Sequence, residues 1–192
     1  TVENDYKSTD ITVTLTKQKA DGFNAFDSFN YPHLCEAGVN FTYHEHYINK
    51  PNFTKPMIAH TALDANVIVF SLFPGVQENI VRHVLDAPEL RSIVMRSFGS
   101  GNAPQKPWLM RLLKNAAERG VIVVNISQCV SGQVEMSRYD AGYQLKDAGV
   151  VSGFDSTVEA AVTKLMFLQA QYHDFHIIRT FMNRSIAGEI TI

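Results

Sequence analysis

The hydrophobic pattern of this chain changes character at Asn66. Residues 1–65 are irregular and polar, with two strand-like pieces, ITVTLT (11–16) and VNFTYHEHYI (39–48), and a loop-like PNFTKP (51–56). Three units of one kind follow. Each opens on a β-branched apolar run: VIVFSLF (67–73), SIVMRSF (92–98) and VIVVNIS (121–127). Unbroken runs of this length suit strands buried on both faces. Pro, Gly, Asn and Ser punctuation closes them. The first run leads into a helical pattern, VQENIVRHVL (76–85). The second leads into a helix reaching Arg119, in which Trp108, Leu109, Leu112, Leu113 and Ala116 share one face. Gly120 suits its C-terminal cap. The third run leads into QCVSGQ and a less regular piece.

Two more helices are predicted: STVEAAVTKLMFLQAQ (156–171) and DFHIIRTFMNRS (174–185). For the first, Ser156 is the expected N-cap, with Glu159 at capping-box spacing. Strand–helix alternation implies parallel strands joined by right-handed crossovers. The expected fold is therefore α/β: a small parallel sheet of about four strands flanked by helices (66–192), preceded by a strand-containing arm (1–65). Ligands of open α/β sheets bind outside the carboxyl ends of the strands. That rule points at three loops, FPG (73–75), SFGSGNAP (97–104) and SQCVSGQ (127–133), which should lie side by side.

Composition narrows the choice. The chain has 192 residues, 45% of them hydrophobic, enough for a real core. A formal net charge of −2 gives nucleic-acid binding no support. No apolar run approaches the roughly 20 residues that cross a bilayer. The opening TVENDYK lacks the order of a signal peptide and reads as a mature or cut terminus. Cys35 and Cys129 stand in different local contexts and read as free thiols of a reducing compartment.

Several residues could carry chemistry. Arg96 ends an apolar strand, where a buried cation needs a partner: an internal ion pair, or a bound carboxylate held by two parallel hydrogen bonds. Gly99 and Gly101 either shape a plain turn or let backbone N–H groups approach a ligand. GSGNAP is neither a dinucleotide-binding fingerprint nor a P-loop. Asn102 offers a donor and an acceptor suited to an amide or amino acid, and is also common in turns. Cys129 has no Cys–His signature around it and reads as structural or ligand-lining. His44 and His46 would face one side of a strand, as metal ligands sometimes do, but no third ligand accompanies them. The sequence calls for no metal and no cofactor.

The segments RSFGSGNAPQKP, ERGVIVVNISQCVSGQVEMSRYDAG and DAGVVSGFDSTVEAAVTKL, with the closing GEIT (188–191), resemble the C-terminal domain of the type I (cytoplasmic) L-asparaginases. Upstream, TKQKADGFNAFDSFNYPHLCEAGV resembles the linker of the same family, so the likeness covers roughly residues 16–192. The resemblance implies a parent that hydrolyses L-asparagine to L-aspartate and ammonia through an acyl-threonine intermediate. The family's catalytic groups lie in an N-terminal domain, in T-G-G-T-I and H-G-T-D-T motifs, and neither motif occurs in this sequence. This chain by itself is therefore expected to be an inactive fragment that partners its N-terminal catalytic domain in a homo-oligomer.

The resemblance also implies site residues. Arg96, Ser127, Gln128 and Cys129 match an allosteric asparagine site found in some family members. Thr16 matches it from the linker, and Glu159 would line it from a partner chain. Asn102 matches a residue that reaches the neighbouring subunit's active site. A free-standing, non-enzymatic amino-acid-binding or regulatory module of the same fold is the alternative. An amidotransferase subunit would need tRNA contacts that the charge does not suggest. A lysophospholipase-type relative would append ankyrin repeats, which this sequence lacks.

Overall fold

The computed structural model describes residues 14–22, 25–48, 58–137 and 140–191. The core is a four-stranded parallel sheet of β5 (Val67–Ser71), β6 (Ser92–Ser97), β7 (Ile122–Ser127) and β8 (Val151–Ser152), side by side in that order. The first three fall on the three apolar runs. Alternate side chains of each strand go to opposite faces. Ile93, Met95 and Val123 enter one core with helices α1 (Glu78–Leu85), α2 (Pro107–Glu118) and α3 (Asp140–Asp147). Val94, Ile122, Val124 and Ile126 enter the other, with α4 (Val158–Gln171) and α5 (Phe175–Met182). The result is a three-layer α/β sandwich, as the alternation implies.

Helix α2 follows its sequence signals closely. Pro107 stands in its first turn, where a missing N–H costs nothing. Leu109, Leu112, Leu113 and Ala116 are buried. Beyond Arg119 the chain turns through Gly120 at φ 88°. Gly120 N–H donates to Ala117 and Val121 N–H to Ala116, a Schellman stop.

The structure departs from the sequence reading in several places. The less regular piece contains α3, whose buried residues are Ala141, Gly142 and Leu145. A Cβ on Gly142 would come within 2.5 Å of the Met136 carbonyl oxygen, so this helix packs by close backbone approach and has no apolar stripe to read. The N-cap of α4 is Thr157, whose Oγ1 accepts from Ala160 N–H, so Ser156 and Glu159 form no capping box.

The arm holds two small antiparallel pairs, β1 (Thr16–Lys17) with β2 (Phe26–Asp27) and β3 (Cys35–Ala37) with β4 (Phe41–Tyr43). The strand expected over 39–48 stops at Tyr43. His46 lies in a 3-10 turn (Glu45–Tyr47) that His44 precedes, so the two do not alternate along one strand. Among the described residues no three His, Cys, Asp or Glu side chains gather as a metal site. Of the strand expected over 11–16, only Thr14–Thr16 are described, and Thr16 alone is in β1; the loop expected over 51–56 lies outside the described residues. No described helix is long and apolar enough to cross a membrane.

Candidate functional site

Parallel register brings the carboxyl ends of β6 and β7 together, with Arg96 beside Ile126 and Ser97 beside Ser127. Here a small hollow of about 60 Å³, open at its mouth, forms between the sheet edge, the start of α4 and the arm. Arg96, Ser127, Gln128 and Cys129 line it from the sheet, and Thr16 from the arm. Five of the residues expected to bind together are thus brought together.

The loops around the hollow are tied down by their own polar groups. Ser127 Oγ donates to the Gly99 carbonyl at 2.6 Å and accepts from Cys129 N–H at 2.9 Å. Gln128 Nε2 donates to the carbonyls of Arg96, at 3.0 Å, and Leu72. Asn125, fully buried on β7, donates through Nδ2 to the Gly101 carbonyl at 3.0 Å and so holds the glycine turn down on the sheet. Gly101 sits at φ 104°, and a Cβ there would meet Val134 Cγ1 at 2.6 Å.

Arg96 differs from these residues. Its guanidinium reaches the Gln128 carbonyl only through Nη2, at 3.5 Å, and its Nε is buried without a partner. Among the described residues no carboxylate pairs with it, so the internal ion pair, one of its two sequence readings, is not formed.

The other expected residues sit differently. Asn102 forms the far side of a tight turn. Phe98 N–H donates to its carbonyl at 2.9 Å and its own N–H donates back at 2.8 Å. It does not line the hollow. Glu159 is exposed on the first turn of α4 and accepts from Thr16 Oγ1 of the same chain at 3.0 Å, which anchors β1 over the site. The FPG loop (73–75) also stays outside the lining. Cys129 is an exposed free thiol, and Cys35 a half-buried one.

Three lining residues escaped the sequence reading. Asn30 of the arm donates through Nδ2 to the carbonyls of Gly132, at 3.2 Å, and Asp155, at 2.9 Å, and accepts from Gly132 N–H at 2.9 Å. It clamps the loop after β7 to the start of α4. Asp155 lines the hollow and accepts from Thr191 N–H through Oδ1 at 2.8 Å. Ser156, expected as a cap, lines the hollow with its Oγ buried and unpartnered. Asp155 stands inside the D-x-T segment that carried the resemblance, which was the one available signal.

Away from the hollow, Lys164 Nζ pairs with Glu189 Oε1 at 2.5 Å, both side chains nearly inaccessible at 5% and 4% exposure. Burial pulls the Lys164 ammonium below its ordinary pKa, and the contact with Glu189 offsets this only in part. Burial alone would push Glu189 up. The Lys164 hydrogen bond and nearby backbone N–H groups outweigh it and hold the carboxyl below its ordinary value.

Comparisons with known proteins agree with this architecture. L-asparaginase 1 of Escherichia coli K12 is 40% identical over 179 residues, which are 92% of this chain and 52% of that protein. The mouse 60 kDa lysophospholipase is 36% identical over 178 residues, 31% of its length. The crystal structure of L-asparaginase I from Vibrio cholerae superposes with a TM-score of 0.87 at 38% identity, covering 94% of this chain and 54% of that one. The chain thus spans about half the length of the bacterial relatives it matches, and less of the lysophospholipase. The glutaminase/asparaginase C-terminal domain model matches residues 66–182, the sheet and its helices. The chain belongs to the glutaminase/asparaginase C-terminal domain family.

Proposed function

We propose that this chain is the C-terminal part of an L-asparaginase, and that the hollow at Arg96 binds L-asparagine as an effector. The parent hydrolyses the side-chain amide to L-aspartate and ammonia. The observation that carries the effector site is Arg96 itself, a strand-end cation that lines a hollow at the carboxyl edge of the sheet and pairs with no carboxylate among the described residues. A ligand carboxylate supplies the missing acceptors as a charge-assisted pair. Preorganised loop groups of Ser127–Cys129 contact the rest of the ligand, and Thr16 closes it from the arm.

Catalysis belongs to the partner region in this reading. The family's catalytic threonine motifs do not occur in these 192 residues, so the chain by itself releases no ammonia. Residues 1–65 act as the linker to the catalytic domain, and Asn102, which closes its turn against Phe98, serves the active site of a neighbouring subunit in a homo-oligomer. The type I resemblance makes the parent a cytoplasmic enzyme.

Two measurements on the 192-residue chain test this. Isothermal titration with L-asparagine should give saturable binding that Arg96→Ala weakens at least about tenfold, the range of a lost charge-assisted hydrogen-bond pair. A coupled ammonia assay should stay at the buffer blank. Binding unaffected by Arg96→Ala overturns the effector site, and ammonia release by this polypeptide overturns the assignment of catalysis.

A further inference from the structure

The two ends of the central sheet are finished differently. At one end β8 is two residues long, and Lys146 and Arg179 line the groove beside it. A short strand flanked by cations is one way folds keep a foreign strand from adding to an edge. At the other end β5 runs for five residues, and no charged residue stands between Ala65 and Gln77. Among the described residues β5 pairs with β6 alone. Just past the strand, Leu72 N–H donates to the Arg96 carbonyl of β6 at 2.9 Å. Main-chain groups alternate sides along a strand. Those of Ile68 and Phe70 therefore also face β6, and those of Val67, Val69 and Ser71 face outward. Of these outward groups the Val67 N–H is taken up locally, by the Ala65 carbonyl at 2.7 Å. Apolar side chains border the same edge. Val69 is 44% exposed, and Phe73, which follows the strand, 50%. On the other face Ile80 of α1 is 50% exposed. Glu78 of that helix reaches Arg111 of α2 at 3.1 Å, so Ile80, about 200° further round, lies on the flank away from α2, over the free edge.

We propose that the outer edge of β5 takes the β5 of a second copy of this chain, antiparallel, about a two-fold axis at Val69. The occupant follows from the edge itself. A two-fold centred on Val69 sets Val69 against its own copy and Val67 against Ser71, the residues whose main-chain groups face outward. Each Val69 N–H then donates to the other copy's Val69 carbonyl, and each Ser71 N–H to the other copy's Val67 carbonyl. The Val67 N–H keeps its local bond. The two Val69 side chains bury each other, Phe73 meets Ala65 of the other copy, and Ile80 flanks the joint on the opposite face. Self-pairing across such an isologous contact needs no opposite charge, and the uncharged stretch 65–77 brings none. An acidic or basic partner strand would find no charge to pair with. The result is one continuous sheet across both copies. A contact of one strand and a few apolar side chains is at the small end of specific interfaces, so dissociation on the order of micromolar is expected. No residue of β5 lines the hollow at Arg96, and the proposal depends on neither the effector reading nor the placement of catalysis.

Sedimentation of the 192-residue chain over about 1–100 μM is the test. The weight-average mass should rise from 21.5 kDa towards twice that value. Ser71→Pro removes an outward N–H and no bond to β6, and should weaken the dimer at least about tenfold. Val69→Lys sets two like charges together at the axis and should do the same. Melting curves close to that of the unsubstituted chain show that both variants fold. Cross-linking reads the register in a Cys35→Ser/Cys129→Ser background. Residues opposed in this way stand about 5.5 Å apart at Cα, within disulfide reach. Air oxidation should therefore join two copies of Val69→Cys, and should not join Ser71→Cys, which faces Val67. A chain that stays at 21.5 kDa at the highest concentration overturns the proposal. So does a dimer that both Ser71→Pro and Val69→Lys leave intact, or one that cross-links through Ser71→Cys and not through Val69→Cys.

Discussion

Replacing Glu189 should unfasten the C-terminal segment from the helical layer, and the structure sets the size of the effect. Glu189 accepts from the N–H groups of Ile186, at 3.0 Å, and Ala187, at 2.7 Å, while pairing with Lys164. Lys164 also donates to the carbonyls of Arg184, at 2.6 Å, and Met182, at 3.5 Å. This knot joins α4 to the chain that follows α5. Glu189→Ala leaves two backbone donors and a buried ammonium without their carboxylate. Breaking a buried pair from one side costs about 3–5 kcal/mol. For a chain of this size each kcal/mol moves the melting temperature by about 2–4 °C, so Tm should fall by roughly 6–20 °C. Circular-dichroism melts with matched urea titrations measure it. The double variant Lys164→Met/Glu189→Gln removes both charges, fills the lysine stem's space and keeps one amide oxygen for Ala187 N–H. It should recover most of the loss, because a neutral, packed pair is often no worse than an ionic one. A cost below about 1 kcal/mol for Glu189→Ala, the value of an exposed pair, would refute the reasoning.

Two further outcomes follow from the same structure. Gly101→Ala combines a positive φ with a 2.6 Å clash against Val134 and should cost at least about 2 kcal/mol in urea unfolding. Gly99, at φ 50° with nothing within 4 Å of an added Cβ, should accept Asn at about 1 kcal/mol or less, so equal costs at the two positions would refute the argument. Stability should also fall on acidification. Glu189 is held below its ordinary pKa as described, and Asp64 by the Asn66 backbone N–H first and then by Arg91. A depressed carboxyl contributes fully above its unfolded pKa of about 4 and loses that contribution as pH falls through the native value. Urea midpoints should hold from pH 7 to about 5 and drop below about 4, less steeply in Glu189→Ala; a midpoint rising below pH 4 would contradict this.

Sequence reading located the sheet because its strands are unbroken apolar runs, a signal that survives without tertiary context. It found α2 because Leu109, Leu112, Leu113 and Ala116 form a stripe with a proline before it and a glycine after it. It missed α3 because close packing there is achieved by absence of side chain, at Ala141 and Gly142. It gave only about four strands, without locating the last, because β8 is two residues long and its pairing is set by β7. Ser156 and Thr157 are both good caps, and which hydroxyl turns back to the helix depends on what surrounds the other. Arg96 was legible as a cation at the end of an apolar strand. Asn30 was not, since its partners lie 102 and 125 residues away and a short side chain in a polar arm has no periodicity.

That division reflects how the site is made. Polar groups near in sequence to the sheet edge are used to fix it: Asn125 to Gly101, Ser127 to Gly99, Gln128 to Leu72 and Arg96. Those bonds run from side chains on and just after β7 to strand and turn carbonyls, so the edge is held in shape by its own polar groups. The arm is tied to the same edge from its own side: Asn30 clamps the loop after β7 to the start of α4, and Thr16 donates to Glu159 on that helix's first turn. Contacts of the first kind are made between residues whose strands are neighbours and can be read once the sheet is placed; contacts of the second kind depend on where a polar arm settles, which no periodicity encodes.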